Sequence, residues 1–337
     1  MHEALNEAEA WKRMVLRAMP QPAWLSLDAP QVDVVLSTRA RIMRNLRGHR
    51  FTNAAGPQEL VLISREILAA AELLGLEAFR QISNAEREYL VACRLASPHF
   101  DWTAQGRALL VNAERSLSLM IHEEDHLRLQ AVTAGWSPGT ASSLAKGCLN
   151  GLQDKLEFAF SPHFGFLSAS PYNSGRGRRL SAMFHLIGLA QAKRLPSVLN
   201  ALGERGIAAR GLFGEASRAV GAFVQVSVIG GSRHDFTGAC EYLLREERDA
   251  RHELGRDRLQ EKALRVHDFA VDAKSLSLSD ALRVLAWIRW AALYGIPGFP
   301  PSPRIADRLL TMLEPTIARD PEKLGVERAE FIRGVLR

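Results

Sequence analysis

Hydrophobic and polar positions alternate most cleanly in two short stretches on either side of a run of acids. Residues 116–121 begin Ser-Leu-Ser-Leu. In 127–132, Leu127, Leu129 and Ala131 fall on one side and Arg128 and Gln130 on the other. A period of two predicts strands, so 116–132 reads as a hairpin with Glu123, Glu124, Asp125 and His126 at its tip. Three adjacent carboxylates repel one another. They suit either a solvated turn or a place that receives a cation. Arg128, one strand step further on, adds a guanidinium, and such a pair of walls suits a reaction between a cationic and an anionic substrate.

The same patterning divides the rest of the chain. Residues 32–36 and 108–111 read as short strands, as do 207–213 and 220–229. Helical spacing runs through 58–74, with Leu60, Ile63, Ile67 and Leu74 apolar, and through 86–95. Ser137-Pro138 predicts a helix start, the helix reaching about residue 157 with Leu144, Cys148, Leu149, Leu152 and Leu156 as its buried stripe. Residues 1–19 predict a surface helix, 241–263 one long charged helix, 279–294 a strongly apolar one, and 305–313 and 327–336 two more. The change of composition sets a boundary near residue 255: an N-terminal extension over 1–23, a mixed domain over 24–255 and an all-helical domain over 256–337.

Charge changes this picture little. The 43 basic residues against 37 acidic ones are spread along the chain, and the excess is chiefly arginine, which favours bidentate contact with phosphate or carboxylate. The chain lacks an aromatic-basic surface pattern, so nucleic acid is not expected as a partner. Cys93, Cys148 and Cys240 are too few and too scattered for a disulfide framework or a zinc site. With no signal-peptide pattern and no membrane-length apolar run, the expected setting is the cytoplasm.

Three further stretches carry candidate chemistry. In Ser37-Thr38-Arg39-Ala40-Arg41, an extended backbone would point Ser37, Arg39 and Arg41 to one side, giving either a phosphate comb or a basic strand edge. The loop Pro171-Tyr172-Asn173-Ser174-Gly175-Arg176-Gly177-Arg178-Arg179 joins glycines that admit close backbone approach to an arginine at the start of the next element. Arg210 precedes a Gly214-Glu215-Ala216-Ser217 tip between two strands.

Taken together, SxRxR at 37–41, HEEDHLR at 122–128, SPYNSGRGRR at 170–179 and RGLFGEAS at 210–217 resemble, in order, the signatures of the ATP:guanidino phosphotransferases. Within that family the chain is most similar to the bacterial protein-arginine kinases. The resemblance implies an α+β fold, an antiparallel sheet flanked by helices and followed by an all-helical C-terminal domain. It implies transfer of the γ-phosphate of MgATP to arginine side chains in proteins. Arg39, Arg41, Arg128, Arg179 and Arg210 would cradle the nucleotide phosphates, with Ser37 supplying a hydroxyl. Glu124 would hold the substrate guanidinium and accept its proton, and Glu215 would stand on the other side of it. Glu123, Asp125, His126, Asn173, Gly175, Gly177 and Gly214 would support these groups. The expected cofactors are ATP and Mg²⁺, with no metal held by the protein alone. An activator protein and a homodimer through the helical domain are allowed but not required.

Several positions depart from the family pattern. His122 stands for asparagine, Ser170 for cysteine, Val228 for asparagine, and Arg94 where a nucleotide-contacting histidine is expected. The RDxxRA element of the bacterial kinases is reduced to Arg328-Ala329. Two alternatives therefore stay open: a kinase for a small free guanidine, and a catalytically degenerate nucleotide- or phosphoarginine-binding scaffold.

Overall fold

The protein is described as a computed structural model over residues 21–211, 219–228, 233–313 and 320–336. The predicted helix at 1–19 lies outside the described residues. The first elements are β1 (Val35–Arg44), α1 (Pro57–Ala71), β2 (Glu77–Phe79), α2 (Asn84–Ala92), β3 (Ala108–Val111), β4 (Leu117–Ile121), β5 (Leu127–Ala134) and α3 (Pro138–Gln153). Then come β6 (Phe160–Ser161), β7 (Gly165–Phe166), β8 (Arg178–His185), α4 (Ile187–Gln191), α5 (Leu195–Gly203), β9 (Ile207–Gly211) and β10 (Phe223–Val228). Among the described residues five helices follow: α6 (Arg233–Leu254), α7 (Arg256–Asp272), α8 (Leu278–Leu293), α9 (Pro303–Leu310) and α10 (Pro321–Val335).

Two compact units result. One holds residues 21–24, Thr38–Thr133 and Ser137–Leu180; the other holds Leu25–Ser37, Ala134–Trp136 and the described residues from Ser181 onward. β1 and β8 each have residues in both.

In the first unit the strands follow the order β2-β3-β4-β5-β1. The predicted hairpin forms with Ile121 opposite Leu127 and Met120 opposite Arg128. Alternation then sorts the side chains. Ala40 and Ile42 of β1, with Leu127, Leu129 and Ala131 of β5, join a core completed by Ile63 and Ile67 of α1 and Ala145, Leu149 and Leu152 of α3. Arg39 and Arg41, at the alternate positions of β1, and Arg128, at the alternate position of β5, share the sheet's opposite face. Met120, Leu109 and Val111 pack instead with Tyr89 and Leu90 of α2. The helix α2 starts at Ser83, whose side chain accepts from Glu86 N while Glu86 returns a bond to Ser83 N.

In the second unit β10 lies between β8 and β9, antiparallel to both. The predicted long helix over 241–263 is two helices. Gly255, at φ 77°, separates α6 from α7, a left-handed backbone that ends a helix cheaply only at glycine. Arg289 of α8 is fully buried and pairs with Asp307 of α9 at 2.8 Å. It also donates to the carbonyls of Val32 at 2.7 Å and Asp33 at 3.0 Å. Arg304 of α9 donates to Asp307 at 2.7 Å and to Leu36 O at 3.2 Å. The strand that carries Ser37 thus begins on carbonyls held by the last third of the chain. No helix among the described residues is long and apolar enough to cross a membrane.

Candidate active site

The polar face of β1 and β5 gathers arginine. Arg39 is half-buried, and desolvation together with Arg128, Arg94 and Arg179 pushes its guanidinium down to about 9. Arg41 is lowered well below its ordinary value by burial, then by Arg39, Arg128 and Arg179, with Glu123 opposing. Four of the five expected phosphate-binding arginines are therefore close enough to repel one another. Arg94, a departure from the family pattern in sequence, joins them. Its guanidinium lies 4.7 Å from the Trp24 ring, and its backbone sits at φ 61°.

Glu123 supplies the local counter-charge. It pairs with Arg128. Burial alone would raise its carboxyl, but Arg128, Ser97 and Arg41 hold it below its ordinary range. Arg128 and Arg41 both act on this carboxyl, while Arg128, Arg94 and Arg179 all oppose the charge on Arg39. The Nε atoms of Arg41 and Arg128 are buried without a hydrogen-bond partner. A polyanion with several oxygens fits such a place: it relieves the repulsion and supplies acceptors.

The turn before β5 splits its acids between different partners. Glu124 is exposed and accepts from Asn173 Nδ2 at 3.1 Å. Asp125 is fully buried and accepts from Asn45 Nδ2 at 2.6 Å, Ser168 Oγ at 2.6 Å and Ala169 N at 2.7 Å. His126 is buried too: its Nδ1 accepts from Leu46 N at 3.0 Å, leaving Nε2 to donate to Arg50 O at 2.9 Å. His122 opens the turn at φ 60°, a region that Asn, Asp and His enter more readily than most residues. That tolerance explains how His122 can occupy the family's asparagine position. Its Nε2 donates to Leu60 O at 2.8 Å, and burial pushes the imidazole down to about 4.

The glycine-bearing loop before β8 is held from beneath. Met43 N donates to Gly177 O at 2.9 Å. Arg44, 2% exposed, donates to Met43 O at 2.7 Å and reaches Gly177 O and Arg176 O, each at 3.4 Å. Its guanidinium stacks over Phe166 at 3.5 Å. At Gly177, φ is +57° and a Cβ would stand 2.3 Å from Arg44 Nη1 and 2.8 Å from Met43 O. Only glycine fits there.

The remaining expected residues fall elsewhere. Ser37 is buried on β1, two positions before Arg39. Arg210 lies on β9 in the second unit, opposite Gln225 of β10. Gly214 and Glu215 lie outside the described residues. Arg44 and Asn45 escaped the sequence reading, since no periodicity or spacing marks a buried polar residue at a strand's end. In the second unit, Arg328 of the reduced tail element is buried and donates to Leu313 O at 2.8 Å.

Residues 64–230 match the ATP:guanido phosphotransferase, C-terminal catalytic domain. The chain is 30% identical over 334 residues to the protein-arginine kinase of Pelotomaculum thermopropionicum, covering 93% of each. It is 30% identical over 340 residues to that of Moorella thermoacetica, covering 93% of this chain and 97% of the relative. In fold it is similar to the substrate-free duplicated taurocyamine kinase of Schistosoma mansoni, with TM-score 0.57, 22% identity, and coverage of 72% of this chain and 38% of that one. It is similar in the same sense to lombricine kinase, with TM-score 0.57, 21% identity, and coverage of 73% and 77%. With the four signatures, the antiparallel sheet flanked by helices and the near full-length match to these relatives, the chain belongs to the ATP:guanido phosphotransferase family.

Proposed function

We propose that this chain is a protein-arginine kinase, moving the γ-phosphoryl group of MgATP to the guanidinium of arginine side chains in proteins. The observation that carries the reading is the convergence of Arg39, Arg41, Arg94, Arg128 and Arg179 to within mutual repulsion, with Glu123 paired to Arg128 and acting on Arg41. Such a cluster suits a triphosphate. The relatives that match nearly end to end bear the name protein-arginine kinase, which favours protein over free arginine as the acceptor.

Phosphoryl transfer depends on positioning and charge stabilisation more than on covalent help from the enzyme. In this reading the clustered arginines hold the phosphate oxygens as charge spreads over them. Glu124 orients the planar guanidinium and takes its proton as the N–P bond forms and the bond to the β-phosphate oxygen breaks. Glu215, outside the described residues, is assigned by the family signature as a second acid for the guanidinium. Mg²⁺ supplies further charge neutralisation on the phosphates. Among the described residues there is no group of three or more His, Cys, Asp or Glu that could hold a metal ion. Residues 24–255 carry this chemistry and 256–337 form the helical tail.

The test is mass spectrometry for phosphoarginine on an arginine-bearing model protein with MgATP, with free arginine as competitor. Phosphoarginine on the protein that free arginine does not suppress is expected. Transfer to free arginine alone would replace the protein substrate with a small guanidine, and transfer to neither would remove the kinase reading.

A further inference from the structure

The acidic turn is held by a residue that none of the family signatures contains. Asn45 follows directly on β1 and is fully buried. Its Nδ2 donates to Asp125 Oδ1 at 2.6 Å and to Leu167 O at 3.2 Å. Its Oδ1 accepts from His126 N at 2.9 Å, and its carbonyl accepts from Ala159 N at 2.8 Å. Both amide hydrogens and the amide oxygen are used. Asp125, its partner, binds Ser168 Oγ and Ala169 N with its other capacity. One buried pair therefore joins three pieces of chain: the end of β1, the turn before β5, and the segment that leads to Asn173. Glu124 sits between the last two, on the turn and hydrogen-bonded to Asn173.

We propose that Asn45 is a positioning residue for phosphoryl transfer, fixing through Asp125 and His126 N where the Glu124 carboxylate stands. The inference rests on the role given to Glu124 above. An amide suits the task. A buried carboxylate such as Asp125 is tolerated when hydrogen-bonded, and Asn45 donates to it while also accepting from the turn's own backbone. A carboxylate in its place would offer no hydrogen and would add a like charge at close range.

Asn45→Asp in the full chain tests this. The kcat for phosphoarginine formation is expected to fall about 10²-fold, the scale of an ångström-sized misplacement, while ATP affinity by calorimetry changes less than about twofold. The reciprocal variant Asn45→Asp/Asp125→Asn restores a donor opposite an acceptor and is expected to recover about tenfold of that loss. Amide hydrogen exchange is expected to quicken at 122–126 and 167–173 in Asn45→Asp and to stay unchanged in β3. Should Asn45→Asp not fold, Asn45→Ser, which cannot span the same three partners, is read in the same way. Unchanged kcat and unchanged exchange in a folded variant would overturn the inference, as would ATP affinity falling in step with kcat. If the wild type itself makes no phosphoarginine, the role of Glu124 fails separately, and the exchange measurement still decides whether Asn45 holds the turn.

Discussion

Glu123 and Glu124 are neighbours in sequence but serve different partners: Glu123 pairs with Arg128, while Glu124 accepts from Asn173. Their substitutions should therefore separate. Glu124→Gln keeps the hydrogen bond from Asn173 but cannot take a proton, so transfer should fall about 10²- to 10⁴-fold with ATP binding intact. Labelled-ATP transfer beside calorimetric ATP titration checks this. A Glu124→Gln enzyme with wild-type turnover would remove the base.

The crowded guanidinium groups give a prediction with two signs. Arg41→Met keeps an apolar stem and removes one repelling charge, so the nucleotide-free protein should gain stability, on the order of 1 kcal/mol. The same change should weaken ATP binding and shrink the rise in thermal midpoint that ATP or inorganic triphosphate produces. Thermal melts with and without triphosphate read both effects. A variant less stable than wild type without nucleotide would show that the repulsion is already relieved in the wild type.

His122 should shape the acid limb of stability. Its imidazole is held down at about 4 by burial and rises to its ordinary value on unfolding. The unfolded chain thus binds the extra proton between pH 4 and 6.5. The stabilisation is complete above the upper value and is lost as pH falls toward the lower one, by about 3 kcal/mol in all. His122→Asn, which tolerates the same positive φ, should show less loss between pH 7.5 and about 4.5 in denaturant titrations. Equal losses in the two proteins would count against it.

Gly177→Ala should damage the loop that precedes Arg179. The added methyl meets Arg44 Nη1 and Met43 O inside contact distance at a positive φ, a combination costing about 1–3 kcal/mol. ATP affinity should fall about tenfold, since the loop leads into an arginine of the cluster. Calorimetry and thermal melts together test it.

Arg289→Met leaves Asp307 of α9 without its fully buried partner. Breaking a buried pair on one side costs about 3–5 kcal/mol. A denaturant midpoint close to wild type would show that Arg304, which also binds Asp307, suffices alone.

Much of this was legible in the residues. The period-two stretches mark β4 and β5 to within two residues, and the acids at 123–125 fall on the turn as expected. Strand alternation alone put Arg39 and Arg41 on one face. What spacing could not convey was three-dimensional company. Nothing local says that Arg94 joins the cluster, because its part depends on a left-handed residue after α2. Asn45 and Arg44 are polar residues whose partners lie some 80 to 130 positions away. The break at Gly255 was missed because a charged stretch of helical composition runs through it, and a single glycine is tolerated within helices often enough to be read past.

The carbonyls of Val32, Asp33 and Leu36 are gripped by arginines more than 250 residues later. Nascent chain emerging from the ribosome cannot finish the root of its first strand until its closing helices have been synthesised. A fragment ended at residue 255 would keep Arg251 Nη1 on Asp33 O at 3.5 Å but would lose the Arg289 and Arg304 bonds to Val32, Asp33 and Leu36, so the helical tail acts as a keystone for the strand, set last.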